Sequence, residues 1–153
     1  QVGVITNVDI ARHTGRNYIE TPEQVYNVLR TQVDVVLKDG AAVLNAKEAQ
    51  LVEMAELCDG EVIYFAYDAA LPAISAHLEK GKRAVIVRYG QIMLASAAGE
   101  VSLARLKDVP LANGGNDVAQ TENVLAAVGA AWALGVTPDV MRTGIETYFI
   151  EQQ

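Results

Sequence analysis

The chain has 153 residues, of which 51% are apolar and 20% charged, and 12 Lys and Arg against 19 Asp and Glu leave a formal net charge of −7. That is one ordinary domain, long enough to bury a core, and its acidity excludes the basic footprint of a nucleic-acid or anionic-membrane binder. A single cysteine, Cys58, excludes an intrachain disulfide and a multi-cysteine metal site, and the longest apolar run, 124–134, is shorter than the roughly 18 to 20 residues of a membrane span.

In chain order, Val2 to Val8 reads as an apolar strand that carries Thr6-Asn7 near its end. The chain opens directly into this strand and closes just after a helix, so it is expected to be a piece cut from a longer protein. No signal-peptide pattern stands at the start, and with one unpaired cysteine a reducing cytoplasm is the expected setting. The polar stretch from Asp9 to Asn17 is expected to be a loop. Loops at strand ends carry chemistry. Asp9, Arg12 and His13 have the residue types of a cation or phosphate site, although a solvated connection is the commoner fate of such a stretch.

Thr21-Pro-Glu-Gln24 is a helix start, with Thr21 as N-cap, Pro22 at the first helical position and Gln24 completing a capping box. The helix is expected to reach about Val36, with Val25, Val28, Leu29 and Gln32-Val33 on its inner face. The stretch from Ala41 to Asp68 reads as strand, helix, strand. Ala41 to Leu44 is an apolar run stopping at Asn45, Leu51, Met54, Ala55 and Cys58 fall on one helical face, and Glu61 to Ala66 is β-branched and aromatic. Two strands joined by a crossover helix lie parallel, and ligands of open parallel sheets sit beyond the carboxyl ends of the strands. Asn45 and Asp68 stand at such ends.

Pro72 to Lys80 predicts a short helix closed by Gly81, with His77 exposed. Arg83 to Tyr89, Gln91 to Ala95 and Glu100 to Arg105 are strand-like pieces separated by glycine turns, an antiparallel hairpin or meander on one edge of the sheet. Pro110 to Asp117 is a polar glycine loop, better read as a plain turn than as a phosphate cradle because no Lys-Ser or Lys-Thr follows its Gly-Gly. Val118 to Leu134 predicts a helix apolar almost all round, with Gly129 permitting close approach and with Glu122 and Asn123 at its head. A buried Asn123 would need partners, since an unpaired amide costs about 1 to 3 kcal/mol. Gly135 stops this helix, and Thr137-Pro138-Asp139 starts a last one through Tyr148, packed by Val140, Met141, Ile145 and Phe149.

Four segments in this order and spacing resemble the central ATPase domain of the Mur ligase family, most closely the Mur-like part of the cyanophycin synthetases. They are Gly3-Val-Ile-Thr-Asn7; Thr21-Pro-Glu-Gln-Val25 with Thr31-Gln-Val-Asp-Val-Val36; Gly40-Ala-Ala-Val-Leu-Asn45; and Glu122-Asn-Val-Leu-Ala-Ala127 with Ala131-Trp-Ala-Leu-Gly135. The resemblance implies an α/β fold, a mainly parallel sheet with flanking helices plus the small antiparallel meander, and makes residues 1–153 the C-terminal portion of such an ATPase domain. It implies ATP and magnesium as cofactors of the full-length enzyme. A carboxylate is activated there as an acyl phosphate and attacked by an amino-acid amine, and the aspartate/arginine polymer is the substrate class in the cyanophycin branch. Asn7, Asn45, Gln120 and Asn123 fall at nucleotide-side positions and His13 at the metal-site histidine. No nucleic acid and no membrane is implied as partner, and a homo-oligomer is compatible with the pattern.

The chain also departs from the family. The glycine-rich phosphate loop of the family precedes the part matched here, the Thr6-Asn7 to His13 spacing is about one residue longer than in the family, Leu29 stands where relatives carry a lysine, and Lys47-Glu48 replace an Asp-Asp pair. The fragment alone is therefore expected to be inactive. The alternative is a degenerate Mur-like module with a scaffold or oligomerisation role.

Overall fold

The computed structural model describes residues 1–15 and 18–149, the side chain of His13 excepted. Among them six strands form one sheet in sequential order: β1 (Val2–Ile5), β2 (Ala41–Asn45), β3 (Glu61–Ala66), β4 (Ala84–Arg88), β5 (Gln91–Ser96) and β6 (Gly99–Arg105). The first four are parallel and the last two extend the β4 edge as an antiparallel meander. Six α-helices accompany them: α1 (Ile10–His13), α2 (Pro22–Asp34), α3 (Ala49–Met54), α4 (Pro72–Glu79), α5 (Val118–Ala133) and α6 (Pro138–Thr147). None is long and apolar enough to cross a membrane.

Strand alternation sorts the core into two layers. Ala42, Leu44, Val62, Tyr64, Ala66, Ala84 and Ile86 face α2, α3 and α4. Val43, Ile63, Phe65 and Val85 face α5 and α6. Parallel neighbours taken in sequence place their crossover helices on one face, so the other is left for α5. This helix lies close to the sheet because position 129 is glycine. A Cβ there would stand 2.8 Å from Val43 Cγ1.

Local signals place the element ends. Thr21 and Gln24 form the full capping box of α2, and the meander turns at Tyr89-Gly90, both at positive φ, as a two-residue hairpin turn between right-twisted strands requires. Four expectations are corrected. β1 stops at Ile5, opposite Leu44, because the next carbonyl, Thr6 O, accepts from the side chain of Asn45 and not from a backbone ladder. The expected loop after it contains α1, capped by Asp9, whose carboxylate accepts from Arg12 N at 3.1 Å. α2 ends at Asp34 and buries only Val25, Leu29 and Val33; Val28 is exposed because the helix lies over the β1 edge, where the sheet covers a narrow stripe. α6 likewise packs through Met141 and Ile145, with Val140 and Phe149 exposed, and Arg142 Nε ties it to Leu103 O at 2.6 Å.

A polar crevice at the carboxyl ends of the strands

α5 runs against the parallel strands, so its head meets their carboxyl ends. Asp117 caps that head, accepting from Gln120 N at 2.9 Å. At this end Asn45, the last residue of β2, is fully buried. Its Nδ2 donates to Thr6 O at 3.0 Å and to Glu122 Oε2 at 3.3 Å, and its Oδ1 accepts from Lys47 N at 3.0 Å. One carboxamide thus joins the end of β1, the turn after β2 and the head of α5. Glu122 in turn accepts from Lys47 Nζ at 2.9 Å, with 12% of its own side chain exposed against 56% for the lysine. Tyr67, just past β3, donates its hydroxyl to Gly115 O at 3.1 Å and holds the glycine loop against the sheet. Lys47, Tyr67, Asp68, Leu71, Val118 and Glu122 line a small cleft of about 190 Å³.

Of the residues singled out in the sequence, Asn45 sits at the centre of this network. Asn7 is exposed at the same end, its Nδ2 donating to Thr6 Oγ1 at 3.3 Å. Gln120 and Asn123 are bonded to each other, Asn123 Nδ2 to Gln120 Oε1 at 3.2 Å. Helical geometry sets Asn123 about 100° round from Glu122, so the pair is not brought onto Asn45. Asn123 is exposed, and its partner is Gln120. The buried polar residue of the helix head is Thr121, which satisfies its hydroxyl on Asp117 O at 2.7 Å. His13 contributes backbone to α1 and its side chain lies outside the described residues. Leu29 belongs to the apolar layer beneath α2.

His77 also departs from expectation. It is buried against the Tyr64 ring, centroids 4.3 Å apart, with Nε2 on Arg83 O at 3.0 Å. Burial pushes its pKa below the ordinary 6.5. It borders a separate hollow of about 210 Å³ between α3 and α4, remote from the crevice.

Sequence reasoning missed Lys47 as the partner of Glu122, and Tyr67. Opposite charges at the end of a strand and the head of a helix were the only signal for the first, and an aromatic with a polar tip directly after a strand for the second.

The donor set does not suit a divalent metal. Among the described residues no three His, Cys, Asp or Glu side chains gather to hold one, and Glu122 already faces an ammonium and an amide. Gln120 and Asn123 have the group types that suit a purine edge, because after their mutual bond each keeps an N–H donor and acceptor capacity.

No family model matches the chain. In sequence it is similar to cyanophycin synthetase from Nostoc sp., 31% identical over 147 residues and 96% of this chain. It is similar also to cyanophycin synthetases from Crocosphaera subtropica, 33% identical, and Synechocystis sp., 31% identical, each over the same share. It spans 16 to 17% of the length of these relatives. In structure it is similar to MurF from Acinetobacter baumannii, with a TM-score of 0.63 and 17% identity over 99% of this chain and 30% of MurF. The chain is a Mur-like domain related to cyanophycin synthetase.

Proposed function

We propose that this chain is the C-terminal portion of the ATPase domain of an amide-forming ligase that resembles cyanophycin synthetase. In this reading a carboxylate is activated as an acyl phosphate and attacked by an amino-acid amine, on an amino-acid or peptide substrate. The observation that supports it most is the hydrogen-bonded carboxamide pair Gln120 and Asn123 at the head of α5, the helix end that meets the carboxyl ends of the strands. They suit the mixed donor and acceptor edge of adenine. Asn45 ties the ends of β1 and β2 to the head of α5, and Asn7 follows the end of β1. ATP supplies the phosphoryl group of such a reaction, and His13 is the residue that the resemblance offers to its magnesium.

The 153-residue chain by itself is expected to give no magnesium-dependent ADP release. The test of the ligase reading is ADP release by the native protein, captured from its source cells with an antibody to this chain and supplied with ATP, magnesium, an acidic peptide and arginine. Release that requires both peptide and arginine supports the reading; ATP left intact by the captured protein overturns it. A second reading, a module without catalysis, is favoured by the Lys47–Glu122 ion pair and by the burial of Leu29 in the core. Intact ATP together with a native mass near the calculated 16.4 kDa would select it.

A further inference from the structure

We infer that Lys47 is a tethered cation that takes the place of a divalent metal ion at the head of α5. Both oxygens of Glu122 are engaged, Oε1 by the lysine ammonium at 2.9 Å and Oε2 by Asn45 Nδ2 at 3.3 Å. The carboxamide of Asn45 shows its N–H side to this carboxylate, because its oxygen is committed to Lys47 N at 3.0 Å. A metal ion at this place would need oxygen lone pairs, whereas Glu122 is surrounded by N–H donors and the other carboxylate of the cleft, Asp68, already accepts from Ala70 N at 2.8 Å. The charge of Glu122, only 12% exposed, needs compensation, and the lysine on the turn after β2 delivers it without an ion from solution. The ammonium has three donors and keeps two for an anionic group entering the cleft. This inference concerns the folded chain and does not rest on the ligase reading.

The test is thermal unfolding and NMR of the 153-residue chain with and without millimolar manganese or magnesium. For the unaltered chain the melting temperature is expected to stay in place, and manganese is expected not to broaden the Asn45 side-chain amide. Lys47→Ala should lower the melting temperature by about 2 to 4 °C, recover part of it with manganese, and broaden the Asn45 amide. Lys47→Asp, which sets two carboxylates side by side, should fall further and respond more strongly. Lys47→Arg should behave as the unaltered chain, and Glu122→Gln should lose the cation response in either Lys47 background. Stabilisation of the unaltered chain by manganese with broadening at Asn45 overturns the inference. So does a Lys47→Ala variant whose stability falls without any cation response, or does not fall at all.

Discussion

The two ends of the sheet hold their polar groups in different ways. At the amino end Glu61, the first residue of β3, accepts two bonds from Arg83, at 2.7 Å from Nε and 2.6 Å from Nη2. The same guanidinium donates to Trp132 O at 3.3 Å and lies over the Trp132 ring, 4.7 Å from its centroid. Arg83 therefore clamps the tail of α5 to β3, and the bond to Arg83 holds the Glu61 carboxyl below the usual carboxylate range. The carboxyl end has two layers. Asn45 and Glu122 are sequestered and committed. Asn7, Gln120 and Asn123 are less buried and their side chains make only short-range bonds, to Thr6 or to one another. Groups locked across the fold serve stability, and groups whose present bonds are local can exchange them for a ligand at little cost.

Breaking the inner layer should have the largest effect. Asn45→Leu leaves Thr6 O and Lys47 N without their partner and takes a donor from Glu122, and is expected to cost about 3 kcal/mol, read from the midpoint of urea unfolding. Breaking the amino-end clamp comes next. Arg83→Met removes a bidentate ion pair that is partly open to water and a cation–π contact, for about 2 kcal/mol, and should raise hydrogen exchange at the tail of α5 before its head.

The third prediction is one of pH. The folded pKa of His77 is lowered, chiefly by burial, so the unfolded chain takes up the proton first and stability falls as pH drops below about 6.5 towards the folded value. The Glu61 contribution, present above its unfolded pKa, is lost at lower pH, as pH falls through the depressed folded value. His77→Gln should flatten the first slope and leave the second, as measured by denaturant titrations at stepped pH. The smallest stability effect is expected for Gln120→Ala and Asn123→Ala, within about 0.5 kcal/mol. Those two substitutions sharpen the comparison, since they test the proposed nucleotide contacts while leaving the fold alone.

Much of this architecture was legible because it is locally encoded. The capping box at Thr21 and Gln24, the β-α-β unit from Ala41 to Asp68 and the glycine turns of the meander each need only neighbouring residues. The close approach of α5 at Gly129 was legible as well, as a gap in an otherwise apolar surface. What escaped depends on distant chain. His77 is buried by a ring on β3 and a carbonyl that precedes β4, and no feature of its own helix announces either. Asn123 stands on a helix of high apolar content, yet the polar residue carried inside is Thr121, since burial follows the helical phase and not the composition of the helix. The Lys47–Glu122 pair joins residues 75 apart in sequence. The candidate nucleotide-side residues were suggested by resemblance, and their spacing alone did not separate the committed Asn45 from the locally bonded pair on α5.

The most direct test of the central claim, that the carboxyl end of the sheet is the ligand-facing end, is an NMR titration of the uniformly labelled chain with millimolar ATP. The account predicts fast-exchange shifts at the side-chain amides of Gln120 and Asn123 and at backbone amides around Asn7 and Lys47, with Arg83, Trp132 and His77 unmoved. Shifts centred on the hollow beside His77 or on the Arg83 clamp, or silence at the carboxyl end, would contradict it.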